Sequence, residues 1–122
     1  MGTPERTYTD AEVTERLAAE LPGWYLENGW IRRVYATDGW GTTLMLVNAI
    51  GFLAEAADHH PDLSVSWARV TVKLATHSAN GITDKDLGLA RRIEDVVLWR
   101  PGEGSPFKGR PPRWVRGGDP RG

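Results

Sequence analysis

At 122 residues the chain is long enough for one domain with its own core and too short for two. It is 40% apolar and 25% charged with a net charge of −1, an ordinary globular mixture that speaks against a general nucleic-acid binder. The absence of cysteine excludes disulfides, thiolate nucleophiles and Cys-ligated zinc.

The segment Met1–Asp10 is polar and lacks the apolar stretch of a signal peptide. Thr9 reads as an N-cap with Glu12 in the capping-box position, opening a short helix through Val13, Leu17 and Ala18 that Leu21-Pro22-Gly23 stops. Trp24–Leu26 and Trp30–Ala36 read as strands around Asn28-Gly29, a strong hairpin signal. Residues 40–58 form the longest predicted helix, with Leu46, Ile50, Leu53 and Ala57 on one stripe. Asn48, Gly51 and Glu55 interrupt its apolar stretch, so no membrane span is expected, and the chain reads as soluble and cytoplasmic.

After Pro61, Leu63, Val65 and Trp67 alternate with serines as one strand, which makes Trp67 a core residue by parity. Val70, Val72 and Leu74 mark the next strand, and Thr76-His77-Ser78 follows at its end. Thr83 reads as the N-cap of the last helix, with Asp84 and Asp86 in its first turn and Leu87, Ala90, Ile93 and Val97 on its buried stripe. The order α-β-β-α-β-β-α gives an α+β class, with helices packed on one face of an antiparallel sheet.

Residues 1–99 hold 9 Lys/Arg against 14 Asp/Glu and read as the domain proper. Residues 100–122 hold 6 against 2, with 11 Gly or Pro among 23, and read as an extended or mobile basic extension. Trp99, Phe107 and Trp114 give that extension two alternatives: it docks on its own domain or a protein partner, or it is a disordered appendage.

All 3 histidines lie between positions 59 and 77. His59 and His60 close the long helix, with Glu55 one turn earlier and Asp58 adjacent; His77 ends a strand, and Asp86 opens the last helix. A lone histidine at a helix C-terminus is commonly only a cap favoured by the dipole. Two adjacent histidines diverge, so both cannot cap the same carbonyls, and a third at a strand end favours chemistry. Adjacent histidines do not form the i, i+4 zinc pair of a helix, and no metal is expected.

Glu55-x3-His59-His60-Pro61-x5-Trp67-x9-His77-x8-Asp86 resembles the pterin-4a-carbinolamine dehydratase family, over roughly residues 9–97. The resemblance implies a four-stranded antiparallel sheet with helices on one side, assembled as a homodimer or a dimer of dimers. It implies loss of the 4a-hydroxyl of a tetrahydropterin as water, giving the quinonoid dihydropterin, with no cofactor. On that pattern His59 and His77 are the acid–base candidates, their individual roles open, and His60 lies against the pterin. Glu55 and Asp86 orient imidazoles. Asp58, Pro61, Thr76 and Ser78 flank these histidines at the pterin site, with Thr76 and Ser78 offering hydrogen bonds to its edge. Trp24 is either a wall for the flat ring or a core aromatic. Departures are Asp62-Leu63, where some relatives have Glu-Trp, and the extension after Val97. Relatives also act as dimerization cofactors of transcription factors or assist Rubisco assembly, and a pterin of molybdenum-cofactor metabolism is a further substrate alternative. Retention of all three histidines and both acids favours the enzyme.

Overall fold

The computed structural model describes residues 5–121; the first four residues of the polar N-terminal segment, and residue 122, lie outside it. Its helices are α1 (Asp10–Glu20), α2 (Trp40–Ala57) and α3 (Asp84–Val97), and its strands are β1 (Tyr25–Glu27), β2 (Trp30–Thr37), β3 (Asp62–Ser66), β4 (Arg69–Leu74) and β5 (Val115–Gly117). Both predicted caps form complete capping boxes: Thr9 with Glu12, and Thr83 with Asp86. Each threonine hydroxyl accepts an orphan backbone N–H, and each acid reaches back to the cap N–H. Asn28 and Gly29 both take positive φ, at 52° and 80°, the geometry of the tight turn that joins twisted strands.

The sheet is antiparallel in the order β1-β2-β4-β3. Alternation along β2 turns Ile31, Arg33, Tyr35 and Thr37 toward the helices, where Val70, Val72 and Leu74 of β4 join them. The core between the layers is closed by Val13 and Leu17 of α1, Leu46 and Ile50 of α2, and Leu87, Ala90, Ile93 and Val97 of α3. The buried stripe of α2 is Thr43, Leu46, Ile50 and Ala54, rotated from the expected one: Leu53 is half-buried and Ala57 is exposed. Ala18 of α1 is likewise exposed. Trp67 is not in the core. Ser66 pairs with Arg69, so Trp67-Ala68 is the hairpin turn; the indole is 67% exposed and leans on Gly39.

The extension departs most from expectation, because β5 is a fifth strand. It pairs Tyr35, Ala36 and Thr37 of β2 with Gly117, Arg116 and Val115. The opposite edge of β2 is taken by β4, so β5 continues the line of β1 along one side of β2. Val115 is buried, Trp114 packs on the core, and Arg100 and Arg110 lie over the Trp114 ring. The extension therefore docks on its own domain.

The 18 residues of α2, at mean hydropathy 1.2, reach the length and composition of a short membrane span. Its inner stripe is nevertheless committed to the sheet. Its outer face carries Leu44, Met45 and Phe52, the last 73% exposed. Large apolar side chains gathered on an exposed helix face mark a surface that calls for cover.

Candidate functional site

The site begins where α2 ends. Asp58 turns into the left-handed region (φ 51°, ψ 44°), and its N–H and that of His59 close onto the carbonyls of Ala54 and Glu55. That turn carries His59 off the helix axis toward the first turn of α3. There His59 Nε2 lies 2.7 Å from Oδ1 of the fully buried Asp86. The other carboxylate oxygen accepts from the Thr76 hydroxyl at 2.7 Å and from the Thr83 N–H at 2.9 Å. The Thr83 hydroxyl lies 2.8 Å from that of Thr76. Because the Thr76 proton is committed to Asp86, Thr83 is the donor in that pair, and the bonds run in series toward the carboxylate. No described buried side-chain nitrogen or oxygen lacks a partner.

Asp86 accepts at both oxygens, so His59 donates through Nε2, and Nδ1 is left with its lone pair available to a ligand. His59 lines a groove of about 350 Å³ between α2 and α3, with Leu53, Ala57, Lys85 and Arg92. The ammonium of Lys85 is held above its ordinary range, first by its hydrogen bond to Glu5 and then by the charge of Glu5.

His60 stays on the solvent side, 3.2 Å from Glu55 Oε1, with both groups exposed. Asp58 and Ser78 are exposed and Pro61 is half-buried. His77 opens a short 3-10 turn, His77–Ala79, and lines a different cavity of about 370 Å³ with Tyr8, Asp10, Asn28, Trp30, Asn80 and Ile82. In the single chain, His59 and His77 thus line separate cavities. The αL turn at Asp58 sends His59 to α3, while the 3-10 turn sends His77 to the hairpin. What joins them is Thr76, bonded to Asp86 and adjacent to His77.

Besides Asp86, two of the residues that the sequence nominates for the site are buried. Trp24 is 3% exposed and its indole N–H donates to Glu94 at 3.0 Å, so it is a core aromatic and offers no wall to a ligand. Thr76 is buried and its hydroxyl serves Asp86, so that proton is not available to a substrate. Sequence reasoning misses Trp30 and Tyr8. Trp30 does leave a signal: Ile31 pairs with Leu74, so the residue before Ile31 stands beside the end of β4. Tyr8, whose hydroxyl donates to Asp84 at 2.5 Å, leaves none.

The model of the pterin 4 alpha carbinolamine dehydratase family matches residues 6–96. The chain belongs to this family. A protein of Aquifex aeolicus bearing the provisional name pterin-4-alpha-carbinolamine dehydratase is 46% identical over 92 residues, covering 75% of this chain and 92% of that protein. A relative under the same provisional name in Mycobacteroides abscessus is 44% identical over 89 residues, covering 73% and 94%. A Brucella melitensis structure described as a transcriptional coactivator/pterin dehydratase superposes with a TM-score of 0.68 at 32% identity, covering 75% of this chain and 98% of that one. A pterin dehydratase-like protein described as a RuBisCO assembly factor of the alpha-carboxysome, at TM-score 0.50 and 15% identity, shares the fold. The pterin carbinolamine dehydratase match ends at residue 96, so β5 and the loop leading to it lie beyond it.

Proposed function

We propose that this chain dehydrates a 4a-hydroxytetrahydropterin and that His59 is its base. The observation that carries the reading is the His59–Asp86 pair. An imidazole pinned through Nε2 by a buried carboxylate keeps Nδ1 as a proton acceptor, and the carboxylate stabilises the imidazolium once the proton arrives.

In the reaction the proton on N5 is removed and its electron pair forms the C4a–N5 double bond. The C4a–O bond breaks, and its electrons leave with oxygen, which takes a proton to depart as water. The products are quinonoid dihydropterin and water, and no oxidant, reductant or metal is consumed. His77 is the proton donor to the departing oxygen in this reading. That assignment requires a substrate lying across the rim between the His59 groove and the His77 cavity, in contact with both imidazoles.

We further propose that the working unit is a homodimer or a dimer of dimers, with the apolar outer face of α2 buried between copies. The support is the exposure of Leu44, Met45 and Phe52 on one helix.

The test is dehydration of chemically generated 4a-hydroxytetrahydropterin, followed by absorbance, for wild type, His59→Ala, His77→Ala and Asp86→Asn. Loss of either imidazole is expected to lower kcat roughly a hundredfold or more, the usual scale of general acid–base catalysis. Asp86→Asn replaces the acceptor that holds His59 with an amide and is expected to lower kcat without abolishing binding. Full activity in both histidine variants would sink the reading. A loss confined to His59→Ala would instead assign both proton transfers to one imidazole.

A further inference from the structure

His59 and His60 are each held by a carboxylate, and His77 is held differently. Among the described residues its ring nitrogens have no hydrogen-bond partner, and the ring is exposed at the start of a three-residue turn. What touches it is Trp30. The two ring centroids are 5.3 Å apart, with planes at 76°, an edge-to-face contact. Trp30 itself is well anchored. It is the first residue of β2, paired with Glu27 directly across the Asn28-Gly29 turn, and Lys73 Nζ stands 4.8 Å from its ring centroid. Both rings line the same cavity.

We infer that Trp30 is the positioning residue of His77, fixing the plane of the imidazole at the mouth of its cavity while leaving both ring nitrogens free. The inference rests on the reading of His77 as a proton carrier. An exposed imidazole on a short turn samples several rotamers, and only a fraction of them aim a nitrogen at a bound substrate. A carboxylate partner would select one rotamer but occupy a nitrogen. An aromatic contact selects the plane through the ring's own quadrupole and leaves the nitrogens unengaged. The chain thus holds its two proposed proton carriers by different means, His59 by charge and hydrogen bond, His77 by ring packing.

The experiment uses the full chain with Trp30→Ala, Trp30→Phe and His77→Ala, each checked for its folded circular-dichroism spectrum. One arm is kinetic. Trp30→Ala is expected to lower kcat roughly ten- to a hundredfold, the scale of a misaimed reacting group, with KM little changed, and Trp30→Phe to recover most of it. The second arm is independent of activity: NMR of the His77 ring protons, assigned by their loss in His77→Ala. In wild type they should be displaced by the Trp30 ring current. They should move toward free-imidazole positions in Trp30→Ala and partway back in Trp30→Phe.

Unshifted His77 ring signals in Trp30→Ala overturn the inference outright. So does a full kcat in Trp30→Ala alongside an inactive His77→Ala, which would leave the dehydratase reading standing. Full activity in His77→Ala overturns the catalytic role of His77 and this assignment with it.

Discussion

Replacing Glu94 of α3 with alanine removes the acceptor at the centre of a buried polar cluster. Arg33 donates through Nε and Nη2 to its two oxygens, both at 2.9 Å. The Tyr35 hydroxyl donates at 2.7 Å and the Trp24 indole N–H at 3.0 Å. Gly23 and Gly117 flank the guanidinium so closely that a Cβ on either would collide with it, leaving little room for water to replace the lost carboxylate. The acceptor remaining to Arg33 is the Gly23 carbonyl, at a long 3.4 Å. Removing one partner of a buried ion pair costs about 3–5 kcal/mol. The stranded phenol and indole add to this without full additivity, so we expect about 4–5 kcal/mol. That is a large share of the roughly 5–15 kcal/mol that holds a domain of this size. In urea the midpoint should fall by about 2 M at a slope typical of small proteins. A loss under about 1 kcal/mol would refute the reasoning, because it would mean that the cluster is hydrated or loosely held in solution.

The same carboxylate sets an acid limit. Burial alone would raise the Glu94 pKa, but hydrogen bonds from Arg33, Tyr35 and Trp24 and the charge of Arg33 outweigh it, and the folded value lies below the ordinary 4.5. A depressed folded value means the stabilisation is complete above the unfolded carboxylate's range and is lost as pH falls through the folded one. Urea midpoints of wild type should therefore decline below about pH 4, and those of Glu94→Ala should decline less steeply there. Ending the chain at Leu98 removes β5 and uncovers Tyr35–Thr37. Losing the burial of Val115 and Trp114, offset by release of an ordered segment, should lower stability by about 2 kcal/mol and the melting temperature by roughly 8 °C. An unchanged melting curve would show that β5 does not stay docked in solution. Met45→Glu and Phe52→Glu should each convert an assembled species to monomers in light scattering, and a monomeric wild type would refute the α2 interface.

Local signals carry most of the fold. The two threonine caps, the Asn28-Gly29 turn and the α3 stripe depend on residues a few positions apart, and all four form as the sequence reads, the cap at Thr83 closing into a full capping box besides. What escapes depends on partners distant in sequence. Trp24 is ambiguous because Glu94, which takes its indole proton, lies 70 residues away. Strand β5 is hidden in Gly/Pro-rich sequence because its pairing surface is Tyr35–Thr37, far upstream. Trp67 shares the parity of Leu63 and Val65, yet parity cannot say where a strand stops, and the hairpin turn falls on it. At the site, the sequence offers Glu55 and Asp86 as partners for imidazoles, but not which acid meets which histidine: His59 reaches Asp86 across the fold and His60 takes Glu55. The separate cavity that His77 lines is not legible either, because it depends on the 3-10 turn that starts at that residue.

The placement of β5 makes the two rims of the sheet unequal. One rim is broken into two fragments, Tyr25–Glu27 and Val115–Gly117, each 3 residues long and too short to template a foreign strand. The other is the unbroken 5-residue run of β3, which has one ladder partner, β4. A molecule with a single adhesive rim can join one like molecule there and then has nothing left to offer, so stacking by this route ends at a pair instead of running on into a fibre.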